Sequence, residues 1–496
     1  MSNGAEKAKA ETAAAAQQEA GLLDQVISET RIGRNEEQRE ESRRQLAVLI
    51  EEALKGSFRI SKNLETTISQ RIADIDQLLS AQLNEILHAE DFQKMEASWR
   101  GLHYLVYETE TSVMLKIRVL NATKEELRRD LERVAEFDQS TMFKKIYEEE
   151  YGTFGGAPYG ALIGDYEFGR HSQDLAMLER ISQVAAAAHA PFIAAASSEL
   201  FNLDSFTDLG VPRDMAKIFD TIDYGKWRSF RESEDSRYVG LTVPHVLARL
   251  PYGPETVPVE NFNFKEDVDG KHHKKYLWGN AAYALGTRIT NAFSLYGWTA
   301  AIRGVEGGGL VEGLPTHTFR TDDGEIALKC PTEIAITDRR EKELSDLGFI
   351  PLVHCKGQDY AAFFGTQSAQ KAKKYDTDLA NANARLSTQL QYILCVSRFA
   401  HYMKAIMRDK IGSFMSRKDC ENFLNRWIMN YVTPDDTASP AVKAQYPLRE
   451  ARIDVSEVSG KPGVYKAAAF LRPHFQLDEL SISLRLVAEL PPSARG

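Results

Sequence analysis

Between Leu64 and Ile86 the apolar residues Leu64, Ile68, Ile72, Ile75, Leu79, Leu83 and Ile86 recur at steps of four and three. That spacing holds a stripe within roughly 100° of one face of an α-helix. Such a stripe needs a cover, which is either the chain's own core or a helix of another chain; the pattern permits both. A second helix, about residues 92–109, carries Trp99, Leu102, Tyr104 and Leu105. After Thr111 the texture becomes α/β. Residues 112–120 read as a strand, and Asn121 or Thr123 can cap a helix running to about Phe137, since Thr123-Lys124-Glu125-Glu126 has capping-box spacing. Residues 161–163 and 192–196 are short buried-strand candidates, with a helix near 175–189 between them. Pro251, Pro254, Pro258, Asn261 and Asn263 mark residues 249–264 as a structured loop. Residues 280–298 and most of 371–415 are expected to be helical, as are 417–431, with a linker over 435–447.

The two ends differ from the middle. Residues 1–20 have little to bury and are expected to be disordered. Leu22, Leu23, Val26 and Ile27 then fall within an arc of roughly 140° on a helix too short to stand alone in water. At the other end, 452–458 and 464–471 read as strands around the turn Ser459-Gly460-Lys461-Pro462-Gly463. Leu480, Ile482, Leu484, Leu486, Ala488 and Leu490 alternate with Ser481, Ser483, Arg485 and Glu489, the period of a half-buried strand.

The chain has 496 residues, 43% hydrophobic and 27% charged, the balance of a globular protein with a sizeable core. Its net charge of −10 argues against a nucleic-acid partner, which needs a basic face to displace counterions. Cys330, Cys355, Cys395 and Cys420 form no C-x-x-C pair and read as free thiols in a cytoplasmic protein. The most apolar run, 184–201, is interrupted by His189, Pro191 and Glu199, so direct membrane insertion is not expected. No Walker loop, G-x-S-x-G or H-E-x-x-H occurs. Gly307-Gly308-Gly309 is a tight turn and not a dinucleotide fingerprint, because Glu312 stands where the third glycine belongs. The adjacent His272 and His273 read as part of a solvated loop, and Asp338-Arg339-Arg340-Glu341 as a salt-bridged surface. No catalytic, cofactor-binding or metal-binding residue is assigned.

Several longer runs carry a resemblance. Leu471-Arg472-Pro473-His474-Phe475-Gln476-Leu477-Asp478-Glu479-Leu480 resembles the signature of the large subunit of the type VI secretion contractile sheath, the TssC/VipB family. Ser98-Trp99-Arg100-Gly101-Leu102, Gly160-Ala161-Leu162-Ile163-Gly164-Asp165-Tyr166, Pro251-Tyr252-Gly253-Pro254-Glu255-Thr256 and Gly304-Val305-Glu306-Gly307-Gly308-Gly309-Leu310 are similar to stretches of the same family, as is Thr337-Asp338-Arg339-Arg340-Glu341.

The resemblance implies a phage-tail-sheath-like α/β (mixed α+β) fold in three parts. These are an N-terminal helical arm (1–60), a main domain (61–375) with small-subunit-binding helices at about 63–109, and a C-terminal domain (376–496). It implies a non-enzymatic sheath subunit without cofactor. Its partners would be a small TssB/VipA-like subunit, further copies of itself, an Hcp-like inner tube, a baseplate and a ClpV-like AAA+ recycling ATPase. Leu22, Leu23, Val26 and Ile27 would be read by the ATPase, and the stripe from Leu64 to Ile86 by the small subunit. Ile453, Val455, Val464, Phe470, Ile482, Leu484 and Leu486 would form a sheet completed by strands from neighbouring subunits. The sheath of another contractile injection system or a phage tail is the alternative.

Overall fold

The structure, a computed structural model, describes residues 36–54, 64–211, 213–260, 262–321, 323–413, 415–459 and 464–476. The chain forms two units, residues 1–86 with 258–266, and residues 87–257 with 267–496. The candidate recognition residues Leu22, Leu23, Val26 and Ile27 lie outside the described residues, as do Ile482, Leu484 and Leu486.

The first unit contains helix α1 (Glu36–Leu54) and all but the last residue of α2 (Leu64–Leu87). Glu36 and Glu37 occupy the first turn of α1, where negative charge offsets the helix dipole. In α2 the predicted stripe is one continuous helical face that begins with Leu64. Ile68, Ile72, Ile75, Leu79 and Ile86 are 40–54% exposed on it, and Leu83 is half-buried.

In the second unit, helices α3 (Glu90–Tyr107) and α4 (Lys124–Arg133) precede a six-stranded sheet. Its strands are β1 (Leu162–Phe168), β2 (Phe192–Ala196), β3 (Val239–Val243), β4 (Leu310–Val311), β5 (Ile350–His354) and β6 (Ala361–Phe363), in the order β1-β2-β3-β5-β6-β4. The first four in that order are parallel; β6 runs antiparallel to both β5 and β4. Every residue of β2 and β3 is buried, as parallel strands covered on both faces require.

Side-chain alternation sends these strands into two cores. Phe192, Ala194 and Ala196 join Leu178, Ile181 and Val184 of α5 (Ser172–Ala188), together with Trp227 and Phe349. Ile193 instead joins Ile350, Leu352 and Leu285 and Ile289 of α6 (Ala282–Tyr296). Beyond the sheet come α7 (Asp338–Asp346), α8 (Leu390–Asp409), α9 (Arg417–Met429) and a hairpin of β7 (Leu448–Glu457) and β8 (Tyr465–Pro473). A third core of Trp298, Phe399, Leu424, Ile428, Leu448, Ile453 and Val455 binds that hairpin to α8 and α9.

The expected capping box is present. Thr123 Oγ1 accepts the Glu126 N–H at 3.2 Å, and the Thr123 N–H donates to Glu126 Oε2 at 2.8 Å. The helix it opens is shorter than expected and ends at Arg133. Residues 112–120 form no strand, because among the described residues no other strand lies beside them. The segment 435–447 is more than a linker: it holds a short helix, Pro440–Gln445, whose N–H of Val442 is capped by Ser439. His273 does not share the solvated loop of His272. It stacks on Trp278 at 4.6 Å and bonds Glu333 at 2.8 Å.

Two glycines allow close packing between layers. A Cβ at Gly101 of α3 would overlap the Tyr283 ring of α6, and one at Gly286 of α6 would lie 2.5 Å from Cδ1 of Ile163 in β1. Replacing Gly101 by Ala therefore forces α3 away from α6. Overpacking of this kind costs about 1–3 kcal/mol, and thermal unfolding should show the Gly101→Ala melting point several degrees low. An unchanged melting point would mean that the Tyr283 ring yields freely.

Candidate functional site

The C-terminal hairpin has two different edges. The outer edge of β7 is closed without a third strand. Asn425 Nδ2 donates to the Ile453 carbonyl at 2.7 Å, and the Ile453 N–H donates to Asn425 Oδ1 at 2.9 Å. The Val455 N–H donates to Glu421 Oε2 at 3.2 Å, and Arg417 Nη1 donates to the Val455 carbonyl at 2.9 Å. Arg417, Glu421 and Asn425 stand four residues apart, hence on one face of α9. Nearer the start of β7, Leu448 exchanges main-chain bonds with Tyr431 and Thr433.

These bonds fix the direction of the main-chain groups over the regular ladder, from Glu450 opposite Arg472 to Glu457 opposite Tyr465. Ile453 faces Ala469 and Val455 faces Ala467 in the register. Since Ile453 and Val455 point their N–H and C=O away from β8, these are the non-hydrogen-bonded pairs of an antiparallel ladder. Ala467 and Ala469 must then point theirs away from β7, along the outer edge of β8. Among the described residues no strand or side chain bonds that edge at these positions. The chain leaves β8 without turning back at once. The His474 N–H bonds Pro447 O at 3.1 Å, the Gln476 N–H bonds the Tyr392 hydroxyl at 3.1 Å, and Gln476 Nε2 bonds Ala300 O at 3.2 Å.

At the carboxyl end of the parallel strands, His245 joins β1 to the loop that carries Glu333. Its Nδ1 lies 2.6 Å from Glu333 Oε2 and its Nε2 lies 2.9 Å from Glu167 Oε1 of β1. Burial alone pushes the imidazole pKa down, but the hydrogen bonds it donates to Glu167 and Glu333 outweigh that and hold the value up at about 10. Burial raises the Glu333 pKa, and hydrogen bonds from His245 and His273 reverse that shift and leave it at about 2. The pair is an ion-paired strut between β3's carboxyl end and the loop at Glu333. Among the described residues no cluster of His, Cys, Asp and Glu is arranged to hold a metal ion. No described helix is long and apolar enough to cross a membrane.

The comparisons with known proteins agree with one another. The family model for the EvpB/VC_A0108 tail sheath N-terminal domain matches residues 69–370, and the model for the tail sheath gpW/gp25-like domain matches 379–490. The type VI secretion system sheath protein TssC1 of Pseudomonas aeruginosa PAO1 is 52% identical over 461 residues, 92% of this chain and 93% of that protein. The chain belongs to the VipB family of tail sheath proteins. Looser likenesses are to the baseplate of the anti-feeding prophage (8% identity, 63% of this chain and 66% of that one, TM-score 0.34) and to its helical sheath in the contracted state (10%, 62% and 66%, TM-score 0.30).

Ile453 and Val455 lie fully buried on the inner face of the hairpin. Val464 precedes β8 and is exposed; Phe470 is exposed on the outer face under the Arg452 guanidinium, 5.0 Å from its ring centre. The sequence reading missed the closure of β7 by α9. A polar face at 417, 421 and 425 was its only trace, and nothing local ties that face to residues some thirty positions later.

Proposed function

We propose that this chain is the large subunit of a type VI secretion sheath. It pairs with a small subunit through α2 and polymerises helically around an inner tube in the bacterial cytoplasm. The polymer contracts to drive tube and spike outward from a baseplate, and an AAA+ ATPase that reads Leu22, Leu23, Val26 and Ile27 recycles it. The chain itself catalyses nothing. The observation that carries this reading is the hairpin with one edge closed by α9 and the other open along β8.

An open strand edge is a template for main-chain pairing with another chain. The strand that suits it is the alternating run from Leu480 to Leu490. Donated to a neighbouring copy, it would keep subunits linked while their rigid bodies rotate between extended and contracted packings, since a loop bends while a ladder stays paired. Electron microscopy of the chain co-expressed with its small subunit tests this. Hollow helical tubes are expected; dispersed particles at concentrations where the pair is intact would refute it.

The α2 stripe gives a second expectation. An apolar helical face left uncovered in solution promotes aggregation. The chain expressed alone should run as aggregate in size exclusion, and Ile72→Glu with Ile75→Glu should sharply lower recovery of the small subunit. A monodisperse lone chain would count against that pairing. Removing residues 1–33 should abolish ATPase binding while tubes still form; retained ATPase binding would remove the recognition role from this segment.

A further inference from the structure

Residues 115–120, Leu-Lys-Ile-Arg-Val-Leu, have the composition and alternation of a strand. Leu115 and Ile117 are half-buried, whereas Val119 and Leu120 are exposed. Among the described residues the main chain of 116–121 makes no hydrogen bond. A β-prone run whose peptide groups bond nothing else among the described residues is a strand without its partner.

The space for that partner is present. A groove of about 790 Å³ lies between this segment and β1, the edge strand of the six-stranded sheet. Ile163, Ile289, Phe293 and Leu394 line it with apolar surface, and Trp99 of α3, 66% exposed, stands at its side. The β1 side is partly closed already: Lys124 Nζ bonds the Glu167 carbonyl at 2.6 Å and Asn280 Nδ2 bonds that of Gly164 at 3.4 Å. An incoming strand therefore finds free peptide groups along 116–121. Arg398, another lining residue, sets a charge requirement. Its guanidinium lies over the Tyr402 ring, 4.7 Å from the centre, and its buried Nε has no hydrogen-bond partner.

We propose that one strand of the small subunit occupies this groove, pairing with 116–121 and presenting a carboxylate to Arg398. The inference rests on the heterodimer reading above and names where on this chain the partner's strand sits. The occupant is a separate chain because the uncovered surface extends past the groove. Met95, Trp99 and Val106 continue it along one face of α3, and covering them together with Val119 and Leu120 takes a folded body from which a strand projects. The chain's own segment after Gln476 is the other strand at hand, and the sheath reading assigns it to β8.

Benzoylphenylalanine placed at Val119 in the co-expressed pair tests the proposal, with crosslinks mapped by mass spectrometry. The expected product joins Val119 to the small subunit within a segment of alternating apolar residues that carries Asp or Glu. Amides 116–121 of the pair should also exchange hydrogen at least a hundredfold more slowly than free peptide. If the pair co-purifies but Val119 crosslinks only to residues 477–496, to another copy of this chain or to nothing, the groove assignment is overturned and the heterodimer stands. If no pair co-purifies, both fall.

Discussion

A chain that ends at Gln476 should still bind its small subunit and should build no tubes. Donated as proposed, the alternating run from Leu480 to Leu490 would supply about five main-chain hydrogen bonds to an open edge, each worth about 0.5–1.5 kcal/mol net. Taken at ~0.6–0.8 kcal/mol apiece they give ~3–4 kcal/mol, a loss of two to three orders of magnitude in each lateral contact, since about 1.4 kcal/mol is tenfold. A polymer in which every copy depends on that contact does not survive the loss. Ala469→Pro removes the acceptor instead. Its outward N–H has no partner on β7, so the β7–β8 ladder keeps its bonds while the outer edge loses a donor.

Mixing the two variants separates exchange from self-closure. The truncated chain keeps an intact β8 edge, and the Ala469→Pro chain keeps an intact donor strand. If strands pass between copies, the mixture yields a defined complex of one with the other, seen as a mass step in light scattering, and still no tubes. If the strand folds back on its own β8, the mixture shows only the two separate species, and the exchange model is finished. Should Ala469→Pro fail to fold, truncation alone against full-length chain still reads the donor side.

Periodicity made the long elements legible in the sequence. The steps of α2, the capping box at Thr123 and the buried run 192–196 are local signals, and each element begins where its pattern placed it, though the helix capped by Thr123 ends early, at Arg133. The segment 112–120 shows the limit of that reasoning: its composition asks for a strand, but a strand is defined by its neighbour, and among the described residues none lies beside it. The hairpin shows the same limit from the other side. Two strand-like runs around a turn signal located β7 and β8, yet which edge stays open depends on Arg417, Glu421 and Asn425, whose partners are far away in sequence. His245 was equally invisible, since Glu167 and Glu333 stand 78 and 88 residues from it.

That last cluster carries the largest stability effect expected in the molecule. His245 joins the end of β1 to the loop that carries Glu333, with side chains only 16% and 8% exposed for His245 and Glu333. Replacing His245 by Gln keeps a polar group of similar reach and deletes the cation, which leaves a buried carboxylate held by His273 and by the main-chain N–H of residue 245. Breaking a buried ion pair from one side costs about 3–5 kcal/mol. Glu167 is half exposed and adds little to that figure. The pH dependence fixes the mechanism. The His245 pKa is raised in the fold, so its contribution is complete below the unfolded value of about 6.5 and fades as pH rises through about 10. The Glu333 pKa is lowered, so its contribution is present above the unfolded value of about 4.5 and is lost as pH falls through about 2. Urea unfolding of the assembled pair should therefore show the gap between wild type and His245→Gln widest near pH 5–6 and shrinking from pH 7 to 10. A gap independent of pH would mean that the histidine serves by shape and not by charge.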